Sequence, residues 1–121
     1  MTWSLLPFIA LAGGFGAGLR YLIDLAVTRR TGARFPWGTL IVNVTGSFAL
    51  GVVAGLTTDA AVLAVVGSGL LGGYTTFSAV AATSAVMADE GRGVPAALNT
   101  FGTLAATIAA AALGLWLGGA I

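Results

Sequence analysis

Gly67-Ser68-Gly69-Leu70-Leu71-Gly72-Gly73-Tyr74-Thr75-Thr76-Phe77-Ser78 sits inside a 29-residue run, 60–88, that carries no charged side chain. The run exceeds the about 20 apolar residues that take a helix across a hydrocarbon core. Yet its centre holds four glycines and four serine or threonine hydroxyls, which weaken a helix and free backbone carbonyls. In lipid, irregular backbone survives only where protein buries it or a cavity borders it. Discontinuous helices of this kind build ion sites. The same residues admit a plainer reading, close helix packing through the small pair Gly69 and Gly73. On the residues alone both readings stand.

Outward from this stretch, the charges fall in clumps. Arg20, Asp24, Arg29, Arg30 and Arg34 come first, Asp59 stands alone, and Asp89, Glu90 and Arg92 close the series. The uncharged intervals between and beyond them predict four crossings, at about 4–27, 37–56, 61–87 and 94–118. The alternation of a barrel strand is missing, so the expected fold is an all-α integral membrane domain spanning 1–121, its third helix broken at mid-membrane. Composition agrees. Of 121 residues, 58% are hydrophobic and 7% charged, too few charges to coat a soluble domain. A net charge of +1 offers no field for a polyanion, so nucleic acid is not an expected partner. The first segment lacks the basic start of a secretory leader, so no cleaved leader is expected. Residues 28–34 read as a polar loop, Pro36 and Pro95 open helices two and four, and Thr57-Thr58-Asp59 is a short turn that makes helices two and three antiparallel neighbours. The 19 glycines and many alanines predict close helix contacts, in keeping with a dimer or larger assembly.

Charge within a crossing is expensive and usually functional. Arg20 and Asp24, four apart on helix one, read either as a mutual pair near the interface or as the start of a polar vestibule for an anion. Asn43, deep in helix two, must find partners. It either joins two helices or offers its NH₂ to a dehydrated anion. Asn99, Thr103 and Thr107 follow one face of helix four and, with Thr39 and Asn43, make a track of neutral donors that suits an anion in transit. His and Cys are absent and no carboxylate lies deep in a crossing, so neither an enzyme nor a proton-coupled exporter is expected.

Three stretches together carry a family resemblance: Gly13-Gly14-Phe15-Gly16-Ala17-Gly18-Leu19-Arg20-Tyr21, then 36–48 (Pro36-Trp37-Gly38-Thr39-Leu40-Ile41-Val42-Asn43-Val44-Thr45-Gly46-Ser47-Phe48), then Gly72-Gly73-Tyr74-Thr75-Thr76-Phe77-Ser78. In this order and spacing they resemble the CrcB/Fluc fluoride channels of bacteria, over the full length. The resemblance implies an antiparallel dimer in the bacterial plasma (inner) membrane, surrounded by lipid, with two fluoride pores. It implies that Asn43 hydrogen-bonds fluoride and that Phe77 turns its electropositive ring edge to the ion. Thr39, Thr103, Ser78 and Arg20 would belong to the pathway. Backbone carbonyls of Gly72 and Thr75, from both subunits, would hold a structural Na⁺.

The departures from the family pattern concern its pore. A second pore phenylalanine is replaced by Val80, a glutamate by Thr83 and a helix-four tyrosine by Asn99. An intact ion-site motif beside an altered lining suggests a partner subunit rather than a self-sufficient channel. Charge placement agrees: Arg29, Arg30, Arg34 and Arg92 fall on loops one and three, and no Arg or Lys falls on the other face. That bias predicts one orientation, with 28–36 and 88–93 cytoplasmic and both termini outside. An antiparallel mate would then be a homologue of opposite bias, more than a second copy.

Overall fold

The computed structural model describes residues 3–121, and all its regular structure is helical. We label α1 Leu6–Thr31, α2 Trp37–Leu56, α3 residues 60–74, α4 Phe77–Asp89 and α5 Gly93–Ala120. A short 3₁₀ turn, Trp3–Leu5, leads into α1. Four helical stretches, Trp3–Thr31, Trp37–Leu56, Ala60–Asp89 and Gly93–Ala120, are long and apolar enough to cross a membrane.

The helix ends have local causes. Pro7 sits in the first turn of α1, where its missing N–H costs little. At the other end α1 continues through Thr31, so 28–31 is helix rather than the loop its polarity suggested. Arg29 and Arg30 occupy that last turn, where cations suit the carbonyl end of the helix. Asp59 caps α3 by accepting from the N–H groups of Ala61 and Val62 at 2.9 and 3.0 Å. Among the described residues Gly32 and Gly91 are the positive-φ positions, each where the chain leaves a helix and reverses.

The packing inverts that of a soluble domain. Large apolar side chains such as Phe8, Phe15, Ile108 and Trp116 are exposed. Most buried positions are glycine or small polar residues: Gly16, Gly38, Thr39, Asn43, Gly46 and Thr103 among them. Between apolar helices in lipid, contact comes from close backbone approach rather than from hiding apolar area. Two zippers supply it. Along α1 and α3, a Cβ on Gly73 would collide with the Gly13 carbonyl, and one on Gly16 with the Leu70 carbonyl. Along α2 and α5, Gly51 faces the Ala111 carbonyl, Gly114 the Phe48 carbonyl and Gly118 the Val52 carbonyl with the same tightness. Gly69 meets Ile9 where Gly73 meets Gly13, and Gly114 meets Phe48 where Gly118 meets Val52, so α1 runs parallel to α3 and α2 to α5. The α2–α3 hairpin is antiparallel through Gly46, which meets Tyr74 and Thr75.

The glycine-rich stretch stays helical. Residues Leu63–Leu71 form wide π turns, and Gly72 has φ −63° and ψ −39°. The helical ladder lapses instead at the two threonines: Thr75 (φ −81°, ψ 158°) and Thr76 (φ −148°, ψ 119°) are extended. A second π stretch, Leu98–Gly102, widens the start of α5. Such widened turns often mark functional sites.

Candidate functional site

The gap between α3 and α4 is held open by side chains from two other helices. Asn43 of α2 bonds both backbone groups of Thr76: its Nδ2 donates to the carbonyl at 2.9 Å, and its Oδ1 accepts the N–H at 2.7 Å. In an unbroken helix that N–H would reach the Gly72 carbonyl. Its transfer to Asn43 leaves Gly72 without its helical donor. From α1, Arg20 Nε donates to the Gly73 carbonyl at 3.3 Å, placing a cation at the carbonyl end of α3. The Thr75 N–H and Oγ1 both donate to the Leu71 carbonyl at 3.0 Å, closing the last turn of α3. Thr76 Oγ1 caps α4 by accepting from the Ala79 N–H at 3.2 Å.

A half-open cavity of about 290 Å³ lies beside the gap. Asn43, Thr75, Thr76, Phe77 and Val80 form one wall, and Thr100, Thr103 and Thr107 of α5 form the other. None of its lining residues is charged. Asn43 is 5% exposed and uses one of its two Nδ2 hydrogens on Thr76, which leaves a second donor. Phe77 lines the cavity and is 84% exposed within the single chain. The chemistry on offer is neutral: an amide N–H, hydroxyls and an aromatic edge. Such a lining stabilises a small anion without a fixed countercharge to trap it.

The residues expected from the sequence divide. Asn43, Phe77 and Thr103 meet at this cavity, with Thr75 beside them. Thr39 is buried in α2 and does not line it, and Ser78 faces Thr76, hydroxyl to hydroxyl at 3.2 Å. Arg20 neither lines the cavity nor pairs with Asp24. It serves the Gly73 carbonyl, while Asp24 packs on Gly38 and accepts from Thr28 Oγ1 at 3.5 Å. Asn99 also leaves the expected track. It is fully buried, and its Nδ2 donates to the Ser84 hydroxyl at 2.9 Å and the Val80 carbonyl at 3.3 Å. Thr100 donates to the same Ser84 oxygen at 2.9 Å. This brace between α4 and α5 was missed, although hairpin register points to it: Ser84 lies eight residues before Arg92 and Asn99 seven after.

Residues 7–115 match the family model described as "CrcB-like protein, Camphor Resistance (CrcB)". The chain is 39% identical to the fluoride-specific ion channel FluC 1 of Leifsonia xyli subsp. xyli, over 98% of this chain and 90% of that one. It is 42% identical to the fluoride-specific ion channel FluC 2 of Mycobacterium tuberculosis (strain H37Rv), over 90% of this chain and 86% of that one. FluC 1 of Ligilactobacillus salivarius is 36% identical, over 91% and 96% of the two chains.

Proposed function

The chain belongs to the CrcB family, and from that premise we propose that it is a subunit of a fluoride-specific channel that lets cytoplasmic fluoride leave passively. It is a multi-pass membrane protein, and its relatives are ion channels rather than enzymes. One observation supports the pathway: the spare N–H of Asn43, the ring of Phe77 and the hydroxyl-bearing Thr103 converge on a single uncharged cavity beside the α3–α4 gap. Asn43 donates to the ion there. Phe77 offers its positive ring edge. Thr103 and Thr107 pass the ion along α5. Arg20, Thr39 and Ser78 act behind this lining: Arg20 and Ser78 fix the gap, and Thr39 packs within α2.

The Na⁺ that the resemblance implies fits the residues present. The N–H that a helix would give the Gly72 carbonyl goes to Asn43, and Thr75 is extended, so neither carbonyl belongs to a regular helical ladder. Hard cations take oxygen ligands of this type. Gly72 and Thr75, with the same groups of an antiparallel mate, would hold the ion, which supplies a fixed positive charge and a tie between subunits.

A second reading rests on the α4–α5 brace. Val80 and Asn99, two of the three altered pore positions, are packed against one another, with Val80 5% exposed and Asn99 fully buried. A lining altered at that contact suits a subunit that completes a heterodimer while a homologue of opposite topology supplies a conducting face. The relatives called FluC 1 and FluC 2 are compatible with such pairs.

The test is fluoride efflux from proteoliposomes, first of this chain alone and then co-expressed with a homologue of opposite loop charge. The channel reading expects fluoride efflux with no chloride efflux and no need for a proton or Na⁺ gradient. Efflux in the pair but not in the chain alone selects the partner reading. Absence of fluoride efflux in both preparations removes the function.

A further inference from the structure

We infer that Arg34 and Arg92 form an anion-capture site at one end of the molecule, upstream of the cavity at Asn43 and Phe77. The inference rests on the channel reading and adds to it a specific entrance.

A second cavity, of about 640 Å³, opens between the α1–α2 connection and the start of α5. Arg34 enters it from the first connection and Arg92 from the turn between α4 and α5, two loops remote in sequence. The Arg92 Nε is buried and has no hydrogen-bond partner. A buried guanidinium donor left unpaired is costly, and an anion is the partner that satisfies it best. The walls below the two cations are Leu40, Leu98 and Ala106, so a water-borne anion there meets little competing polar surface. Phe35 and Trp37, with ring centroids 4.8 Å apart, brace the segment that carries Arg34.

The site leads somewhere. Thr103 lines this cavity and also the one at the gap. An anion concentrated by the two guanidiniums therefore stands one residue from the neutral track. The larger cavity is wide enough for a hydrated ion, so the cations gather ions and the narrower cavity selects among them. Capture is confined to this end. The turn at the opposite end, 57–59, has Asp59 as its one charged residue, and that carboxylate faces the N–H groups of α3.

The experiment measures fluoride efflux by the conducting assembly in phosphatidylcholine vesicles, at sub-saturating fluoride, over a range of ionic strength set by impermeant salt. Wild-type chain is compared with Arg34→Gln, Arg92→Gln, the double Gln variant and the double Lys variant. Expected is a loss of about fivefold in the double Gln variant at low ionic strength, the size that two charges at a water-filled mouth near the path allow. That gap closes as salt screens the charges, and the double Lys variant, which keeps both charges, tracks wild type. Wild-type flux in the double Gln variant overturns the site. So does a deficit of equal size at every ionic strength, or one that the Lys variant shares, because either marks a structural role. A dependence on these residues that emerges only when phosphatidylglycerol is added assigns the guanidiniums to lipid phosphate and also overturns capture. Absence of wild-type flux in any assembly removes the channel reading itself, a result distinct from all of these.

Discussion

Asn43 answers a question that a lone amide in an apolar helix always raises, namely where its hydrogen bonds go. Its carbonyl oxygen and one N–H are spent on Thr76, and the second N–H is left over on a residue that lines the cavity. Two substitutions separate these duties. Asn43→Asp keeps an acceptor for the Thr76 N–H but sets a carboxylate beside the passing anion. Repulsion above about 1.4 kcal/mol is enough for a tenfold loss of efflux or more, and wild-type efflux in that variant would remove Asn43 from the pathway. Asn43→Ala strips both bonds from Thr76 and leaves its backbone groups unpaired. Its purified assembly should lose about 1–3 kcal/mol of stability, seen as a lower thermal midpoint. Val80 poses the opposite problem. The space beside it belongs to the cavity, so Val80→Phe has room to grow into the pathway. On the partner reading it raises efflux by the chain alone, and unchanged silence in that variant would place the deficit at Thr83 or Asn99.

Elements here are joined by missing side chains. The tolerance of α1, α2, α3 and α5 for close approach depends on which glycines face a backbone. Gly73→Ala drives a methyl into the Gly13 carbonyl and should cost about 1–3 kcal/mol, measured as a drop in thermal midpoint and a loss of monodisperse protein. Gly14→Ala meets nothing within 4 Å and should be neutral or slightly stabilising. Equal behaviour of the two variants would mean that the α1–α3 zipper does not set the spacing. Gly69 and Gly73 had two readings in the sequence, and the fold uses both residues for packing. The lapse in the helix falls two residues later, on Thr75 and Thr76, whose backbone is extended. Glycine content could not locate it, because flexibility permits an irregular backbone without requiring one. What requires it is an acceptor and a donor on α2, and Asn43 supplies both.

At the scale of the whole molecule, Arg34 and Arg92 share one cavity, so the first and third connections lie at the same end. Four arginines of that end, against none at the other, should give the chain a single orientation with that end in the cytoplasm. The absence of cysteine makes single-cysteine labelling clean: a probe at the 57–59 turn should react from outside intact cells and one at 89–92 should not, and equal labelling of both from outside would end the argument for one topology. Much of this was legible in the residues. Charge-free intervals fixed the four spans, because lipid admits no other way to satisfy so much apolar chain. Hairpin register could even pair Asn43 with Thr76, 16 residues before Asp59 and 17 after it. Register says which residues are level, however, and not which way a side chain turns. Only tertiary packing decided that Arg20 serves Gly73 rather than Asp24, that Asn99 is consumed by Ser84, and that two loops bring guanidiniums to one mouth. Those choices depend on the rotation of each helix about its own axis, and that rotation follows from the contacts of every helix at once.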